Sequence, residues 1–282
     1  AGFESAKITT AGTNDVTTLT APGVTTYTVE GTGRLNLKNG LTNVTTLSAT
    51  NNSGAITTGT VDATTGFVDK AIIAGANGAS VLLGAGNDNI GFTATTAKTS
   101  TVKLGAGDDK LLLKAAGAVA GATYVFGEAG NDTIKIDIAS GALTTSDLID
   151  GGEGIDTLVL DNNAANQMVL RGVEKLTLTK TAANANVINS ADSAIAVTVE
   201  AGNAGTATAA SITGLTSGST VTVNDSKDAT GGVGALTVGY KALEAAATID
   251  VNSVKAAGTA VTIKNVTAAT IDYAKSASSA TA

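Results

Sequence analysis

Apolar and polar residues alternate along most of this chain in short runs of period two. Lys7-Ile8-Thr9-Thr10, the stretch 25–30, Arg34-Leu35-Asn36-Leu37 and Val44-Thr45-Thr46-Leu47 open the pattern, and residues 194–199, 220–223, 235–238, 247–251 and 260–263 continue it. Alternation of this kind puts every second side chain on one face, as in a half-buried strand. The runs recur roughly every eight to twelve residues, a spacing that suits a β-sandwich or a β-solenoid. Long capped amphipathic helices are not visible, and one short helix is predicted at residues 240–246.

Between residues 75 and 161 a second pattern is laid over the first. A Gly-rich phrase ending in Asp runs into an aliphatic strand four times: Gly84-Ala85-Gly86-Asn87-Asp88-Asn89-Ile90, Gly105-Ala106-Gly107-Asp108-Asp109-Lys110-Leu111, Gly127-Glu128-Ala129-Gly130-Asn131-Asp132-Thr133-Ile134 and Gly151-Gly152-Glu153-Gly154-Ile155-Asp156-Thr157-Leu158. The last fits the nonapeptide G-G-x-G-x-D-x-U-x at every defined position. The others keep the fourth-position Gly, the sixth-position Asp and the apolar eighth position, with Leu83, Leu104 or Glu128 replacing one opening glycine. Ile90, Leu111, Ile134 and Leu158 would then form one ladder inside a parallel roll.

Glycine turns the backbone tightly and aims carbonyl oxygens at one spot, and Asp adds a carboxylate. A hard cation such as calcium takes six to eight oxygen ligands of both kinds. One turn cannot supply so many, whereas two stacked turns can. The residues assigned to metal are therefore Asp88, Asp109, Asp132 and Asp156, surrounded by Gly84, Gly86, Asn87, Gly105, Gly107, Asp108, Gly127, Ala129, Gly130, Asn131, Gly151, Glu153 and Gly154. Strands about 4.8 Å apart would set stacked carboxylates against each other at roughly 3 kcal/mol per pair for an effective dielectric near 20. A bound cation removes that repulsion. Charge follows the same division: residues 75–161 carry 11 acids against 5 bases, residues 1–74 carry 5 against 4, and residues 162–282 carry 8 against 8. Nearly all of the net charge of −7 lies where the glycine turns are.

Successive Asp residues stand 21, 23 and 24 apart. Two nonapeptides per coil would need about 18, so the surplus must bulge at the opposite edge, and calcium is expected on one edge only. Three ions between four turns, with one more at an end, is the expectation. Gly75-Ala76-Asn77-Gly78-Ala79-Ser80 reads as a degenerate preceding turn with Ser80 in the place of Asp.

Composition removes several classes of chemistry. No His is present, so imidazole triads and His-based zinc sites are out, and no Cys is present for disulfides or thiolates. No phosphate-binding loop or nucleophile elbow occurs. Paired carboxylates could serve a glycosidase, but aromatic residues make up only 3% and basic residues are few, so the chain is read as non-enzymatic. An isoelectric point near 4.6 argues against nucleic acid. No apolar stretch is long enough for a membrane span. Thr26/Thr28, Thr177/Thr179 and Thr220/Thr222 lack the fixed period an ice-binding ladder would need. The loop 224–228 reads as an Asx turn, and the polar tail 276–282 as disordered.

The last calcium turn leads through Leu158-Val159-Leu160-Asp161 to Arg171-Gly172-Val173-Glu174-Lys175-Leu176-Thr177-Leu178. This succession, with the low-proline, Thr/Ala-rich composition and the 44–54 run, resembles the surface-layer (S-layer) proteins that Gram-negative bacteria export by type I secretion, a branch of the repeats-in-toxin (RTX) group. The resemblance covers roughly residues 40–180. It implies a secreted, extracellular structural protein of the bacterial cell surface, with about three or more calcium ions as cofactor. The partners implied are further copies of the chain, in a two-dimensional lattice or homo-oligomer, and cell-surface polysaccharide. A calcium-stabilised RTX adhesin segment and the non-catalytic tail of an exported hydrolase are the alternatives. The chain opens on Ala1, shows no signal peptide and lacks a tail like a type I secretion signal, so a longer natural chain is expected.

The fold class expected is all-β: a parallel β-roll or β-solenoid with RTX calcium turns, flanked by further β-solenoid or β-sandwich segments. Residues 1–74 form a solenoid-like stretch, 75–161 the calcium roll, and 162–282 a β-rich carboxy-terminal region.

Overall fold

The computed structural model describes residues 4–19, 21, 23–94, 98–115, 121–137, 143–161, 165–179, 185–200, 208–224, 233–244, 246–252 and 261–273. Among them every regular element is a strand. The strands form two sheets, one of 12 and one of 14, in which all paired strands run parallel. Along the main path the strands alternate between the sheets, so each coil gives one strand to each and stacks on the coil before it, while Leu41–Val44 and Ile72–Ala74 are additional strands of the larger sheet. This is a two-sheet β-solenoid, and its sheets run without interruption past residues 74 and 161. No helix among the described residues is long and apolar enough to cross a membrane.

Alternation explains the layering. Inward residues of one sheet stack in register as Leu47, Val81, Val102, Val125, Ile149 and Leu170. Those of the other stack as Ile90, Leu111, Ile134, Leu158, Leu176, Val197, Val221 and Ile249. All of these are essentially without solvent exposure. The ladder expected from the eighth position of each phrase is therefore present, and it continues through coils that carry no such phrase. Aliphatic residues suffice because the two sheets face each other across a narrow, repeating interior, where each coil supplies the floor of the next.

Each coil has two edges. At one, the chain passes from the first sheet to the second through the Gly/Asp turns, as between Ser100–Ala106 and Lys110–Ala115 and between Thr123–Ala129 and Thr133–Asp137. At the other it returns to the first sheet, and these connections are longer: strands end at Ala115 and Asp137 and resume at Thr123 and Leu148. The surplus over 18 residues per coil resides there.

Two expectations are corrected. The short helix predicted over residues 240–246 does not form, because residues 240–244 end the strand Val233–Glu244, which pairs with Val261–Val266. So short a helix has too few internal bonds to persist. As a strand, the segment buries Tyr240, whose hydroxyl donates to the Ser219 carbonyl at 2.8 Å. Second, Ser80 is not in line with the aspartates. It opens the strand Ser80–Leu82 of the first sheet, opposite Thr46 and Thr101, so the turn Gly75–Gly78 belongs to the returning edge. The Asx turn read at 224–228, beyond Asn224, and the tail 276–282 lie outside the described residues.

One excursion leaves the coil path. Between the strands Ile56–Thr58 and Ile72–Ala74 the chain lies against the outer face of the second sheet. There the Gly66 carbonyl accepts from Asn89 Nδ2 at 2.9 Å, and Phe67 lies 5.9 Å beneath the Lys135 ammonium.

Candidate metal centre: a column of buried aspartates

The turn edge brings Asp88, Asp109, Asp132 and Asp156 into one column, because the strands that follow them pair in strict register. All four are at most 2% exposed. Each Oδ1 reaches back one coil and accepts a backbone N–H: Asp88 from Ile56, Asp109 from Asp88 at 2.7 Å, Asp132 from Asp109 at 2.8 Å and Asp156 from Asp132 at 2.7 Å. The series closes on Glu174, whose Oε2 accepts the Asp156 N–H at 2.8 Å. The carboxylates thus tie each coil to its neighbour.

The other oxygen tells a different story. Oδ2 of all four aspartates is buried and has no hydrogen-bond partner. A buried carboxylate oxygen left this way is strongly unfavourable unless a proton or a cation meets it. Desolvation accordingly pushes Asp88 up to about 7, Asp109 up to about 8 and Asp132 up to about 6, and raises Asp156 too. Neighbouring carboxylates in the column add to the rise at Asp109, Asp132 and Asp156.

Backbone oxygens surround these positions. Gly127 and Gly151 stand at the first position of their turns. A methyl group placed on Gly127 would fall 2.3 Å from Asp132 Oδ2 and 2.0 Å from the Gly151 carbonyl oxygen. Glycine therefore leaves a cradle in which a carboxylate and a carbonyl oxygen of the next coil converge. In the two earlier turns the register puts Leu83 and Leu104 at that position, with their side chains in the core. The fourth-position glycines, Gly86, Gly107, Gly130 and Gly154, have φ between +116° and +135°, a region that penalises any side chain. A methyl on Gly130 would sit 1.9 Å from the Gly107 carbonyl oxygen. Gly84 and Gly105 hold the second position, where a methyl on Gly105 would lie 1.9 Å from the Gly84 carbonyl oxygen. Glu128 takes that position in the third turn with φ +74° and pairs with Lys103 at 3.0 Å.

The remaining predicted residues divide by role. The carbonyls of Ala129 and Glu153 accept the N–H groups of Gly107 and Gly130, each at 2.8 Å, and so knit turn to turn. Asn87, Asp108 and Asn131 form a second, exposed column. Asn87 Oδ1 accepts from the Asp108 N–H at 3.1 Å, Asp108 Oδ1 from the Asn131 N–H at 2.8 Å, and Asn131 Oδ1 from the Ile155 N–H at 2.9 Å. One side-chain oxygen of each is engaged by a backbone donor.

Among the described residues no three acidic side chains cluster at one point. The coil rise keeps the aspartates apart, so any ion held here takes most of its oxygens from the backbone. The chemistry of the site fits calcium: hard oxygens only, anionic, tight glycine turns and orphaned buried carboxylate atoms. Glu174 was missed at the sequence level as a member of the column, because no glycine phrase precedes it. Its distance from Asp156, 18 residues, was the available signal.

No protein-family model matches the sequence, and no curated protein or solved structure matches it.

Proposed function

We propose that this chain is a structural, calcium-dependent protein of a bacterial surface layer, exported unfolded and folded by calcium outside the cell. The observation that carries the reading is the file of four buried Oδ2 atoms without partners, stacked along a glycine-rich edge. Calcium seated between successive turns would meet those oxygens and the carbonyls beside them. Asp88, Asp109, Asp132 and Asp156 line the column, and Gly127 makes room for an ion between the third and fourth turns, where Asp132 Oδ2 and the Gly151 carbonyl converge.

Energetics make such a column an effective switch. Extracellular calcium modules bind at about 0.1 to 1 mM. With free calcium tenfold above the dissociation constant, each site adds roughly 1.4 kcal/mol, and three sites add about 4 kcal/mol. That is a large share of a typical domain's net stability. Inside a cell, where calcium is scarce, repulsion and desolvation along the column keep the roll loose. The surface-layer part of the reading is supported by the likeness of residues 40–180 to that group, by the rigid parallel solenoid and by the net charge of −7. Copies of the chain, in a lattice, are the partners.

Limited trypsin digestion with and without chelator tests it. The roll is expected to resist digestion in millimolar calcium and to be cut within residues 75–161 in chelator. Equal resistance in both buffers contradicts the proposal.

A further inference from the structure

We infer that the column has a further cation site at its carboxy-terminal end, formed by Asp156, the Gly172 carbonyl and Glu174, one coil beyond the last Gly/Asp turn. The inference rests on the reading of the column as cation-binding and extends it to residues outside the repeated phrase.

The geometry of the preceding coil recurs here. Asp150 pairs with Arg171 as Phe126 pairs with Asp150, so Gly127, Gly151 and Gly172 stand in one file. Thr157 pairs with Lys175 as Thr133 pairs with Thr157, so Asp132, Asp156 and Glu174 stand in another. A methyl on Gly151 would lie 2.6 Å from Asp156 Oδ2 and 2.0 Å from the Gly172 carbonyl oxygen, close to the values at Gly127. Gly172, with φ +50°, turns its carbonyl into place without a glycine-rich phrase around it.

Two observations point to a ligand at this spot. Asp156 is 1% exposed and its Oδ2 has no partner, although it belongs to the last turn and has no further aspartate beneath it. Glu174 occupies the place of that missing aspartate and accepts the Asp156 N–H through Oε2, the role Asp156 plays for Asp132. A carboxylate has acceptor capacity on both oxygens, so this bond does not exhaust Glu174. Among the described residues no ion pair joins Asp156 or Glu174 to a lysine or arginine. The file ends one coil later, where the register places Ile195, buried and apolar. The site takes a hard divalent cation such as calcium, since carboxylate and carbonyl oxygens are its donors.

Equilibrium dialysis of the full chain against calcium, comparing wild type with Glu174→Gln, Asp156→Asn and the double variant, provides the test. Glutamine preserves the bond to the Asp156 N–H and removes the charge. Each single variant is expected to bind one ion fewer than wild type, and the double variant also one fewer, because both remove the same ion. Unchanged stoichiometry and affinity in Glu174→Gln overturn the terminal site while leaving the rest of the column standing. A wild-type chain that binds no calcium overturns both readings. Should a variant not fold, wild-type crystals soaked in a lanthanide give the answer: an anomalous peak beside Asp156 Oδ2 and Gly172 is expected, and peaks confined to the earlier turns contradict it.

Discussion

Two buried aspartates on opposite edges of the same stretch of solenoid meet different fates. Asp147, on the returning edge, has Oδ1 accepting the Thr123 N–H at 2.7 Å and Oδ2 accepting from the Thr144 N–H and hydroxyl at 2.8 and 3.0 Å. Asp156, on the turn edge, has one oxygen bonded to the Asp132 N–H and the other to nothing. Both carboxylates staple one coil to the last. Among the described residues, the turn edge repeats the arrangement coil after coil with a carboxylate oxygen left over. Burial of an acid is thus no sign of a metal; burial with an unmet lone pair, repeated in register beside glycine, is.

The comparison is broken most severely by filling the cradle. Gly151→Ala would bring a methyl within 2.0 Å of the Gly172 carbonyl oxygen, against backbone that cannot yield. A loss of about 3 kcal/mol or more is expected in chemical denaturation, at the upper end of single-substitution effects, together with loss of calcium binding at that coil. Next in size is a pair of isosteric changes. Asp132→Asn keeps the acceptor for the Asp109 N–H and removes the charge. It should cost about 1.4 kcal/mol in calcium, one site's worth at tenfold saturation, and be neutral or stabilising in chelator. Asp147→Asn turns an NH2 towards the Thr144 donors and should cost about 1–3 kcal/mol in either buffer. A calcium-independent effect at Asp132 would erase the distinction between the edges.

A third prediction concerns pH. A carboxyl raised in the folded state binds protons more tightly there than in the unfolded chain, so its contribution is complete below pH about 4 and lost as pH rises through the folded value. With Asp132, Asp109 and Asp88 raised to about 6, 8 and 7, stability in chelator should fall between about pH 4 and 8. Calcium should flatten that slope, and denaturation midpoints across pH in both buffers check it. The smallest effect belongs to the exposed column. Ile155→Asn would place at Ile155 the residue type found at Asn87 and Asn131 and should change stability by less than about 0.5 kcal/mol, since surface substitutions seldom do more.

Much of this architecture was legible in the residues themselves. The eighth-position ladder of Ile90, Leu111, Ile134 and Leu158 and the Asp column followed from a fixed offset between glycine, acid and aliphatic residue, which local chemistry dictates. What escaped was whatever depends on the neighbouring coil. Gly75-Ala76-Asn77-Gly78 reads alike on either edge, so the local residues do not tell that Ser80 belongs to the returning one. Lys241, Ala242, Leu243 and Glu244 are good helix formers taken singly, but Tyr240 is paired with Leu215 and Glu244 with Val266, which holds the segment extended. Glu174 entered the column through register alone. Asp147 closes its lone pairs with Thr144, three residues away, in a run that looks like any polar loop.

The measurement that bears most directly on the account is a calcium titration of the purified chain, with circular dichroism and light scattering on the same samples. Strand content and particle size are expected to rise together near millimolar calcium. Full strand content in chelator, with a particle size that never changes, would contradict the claim that ions on the aspartate column drive folding and assembly.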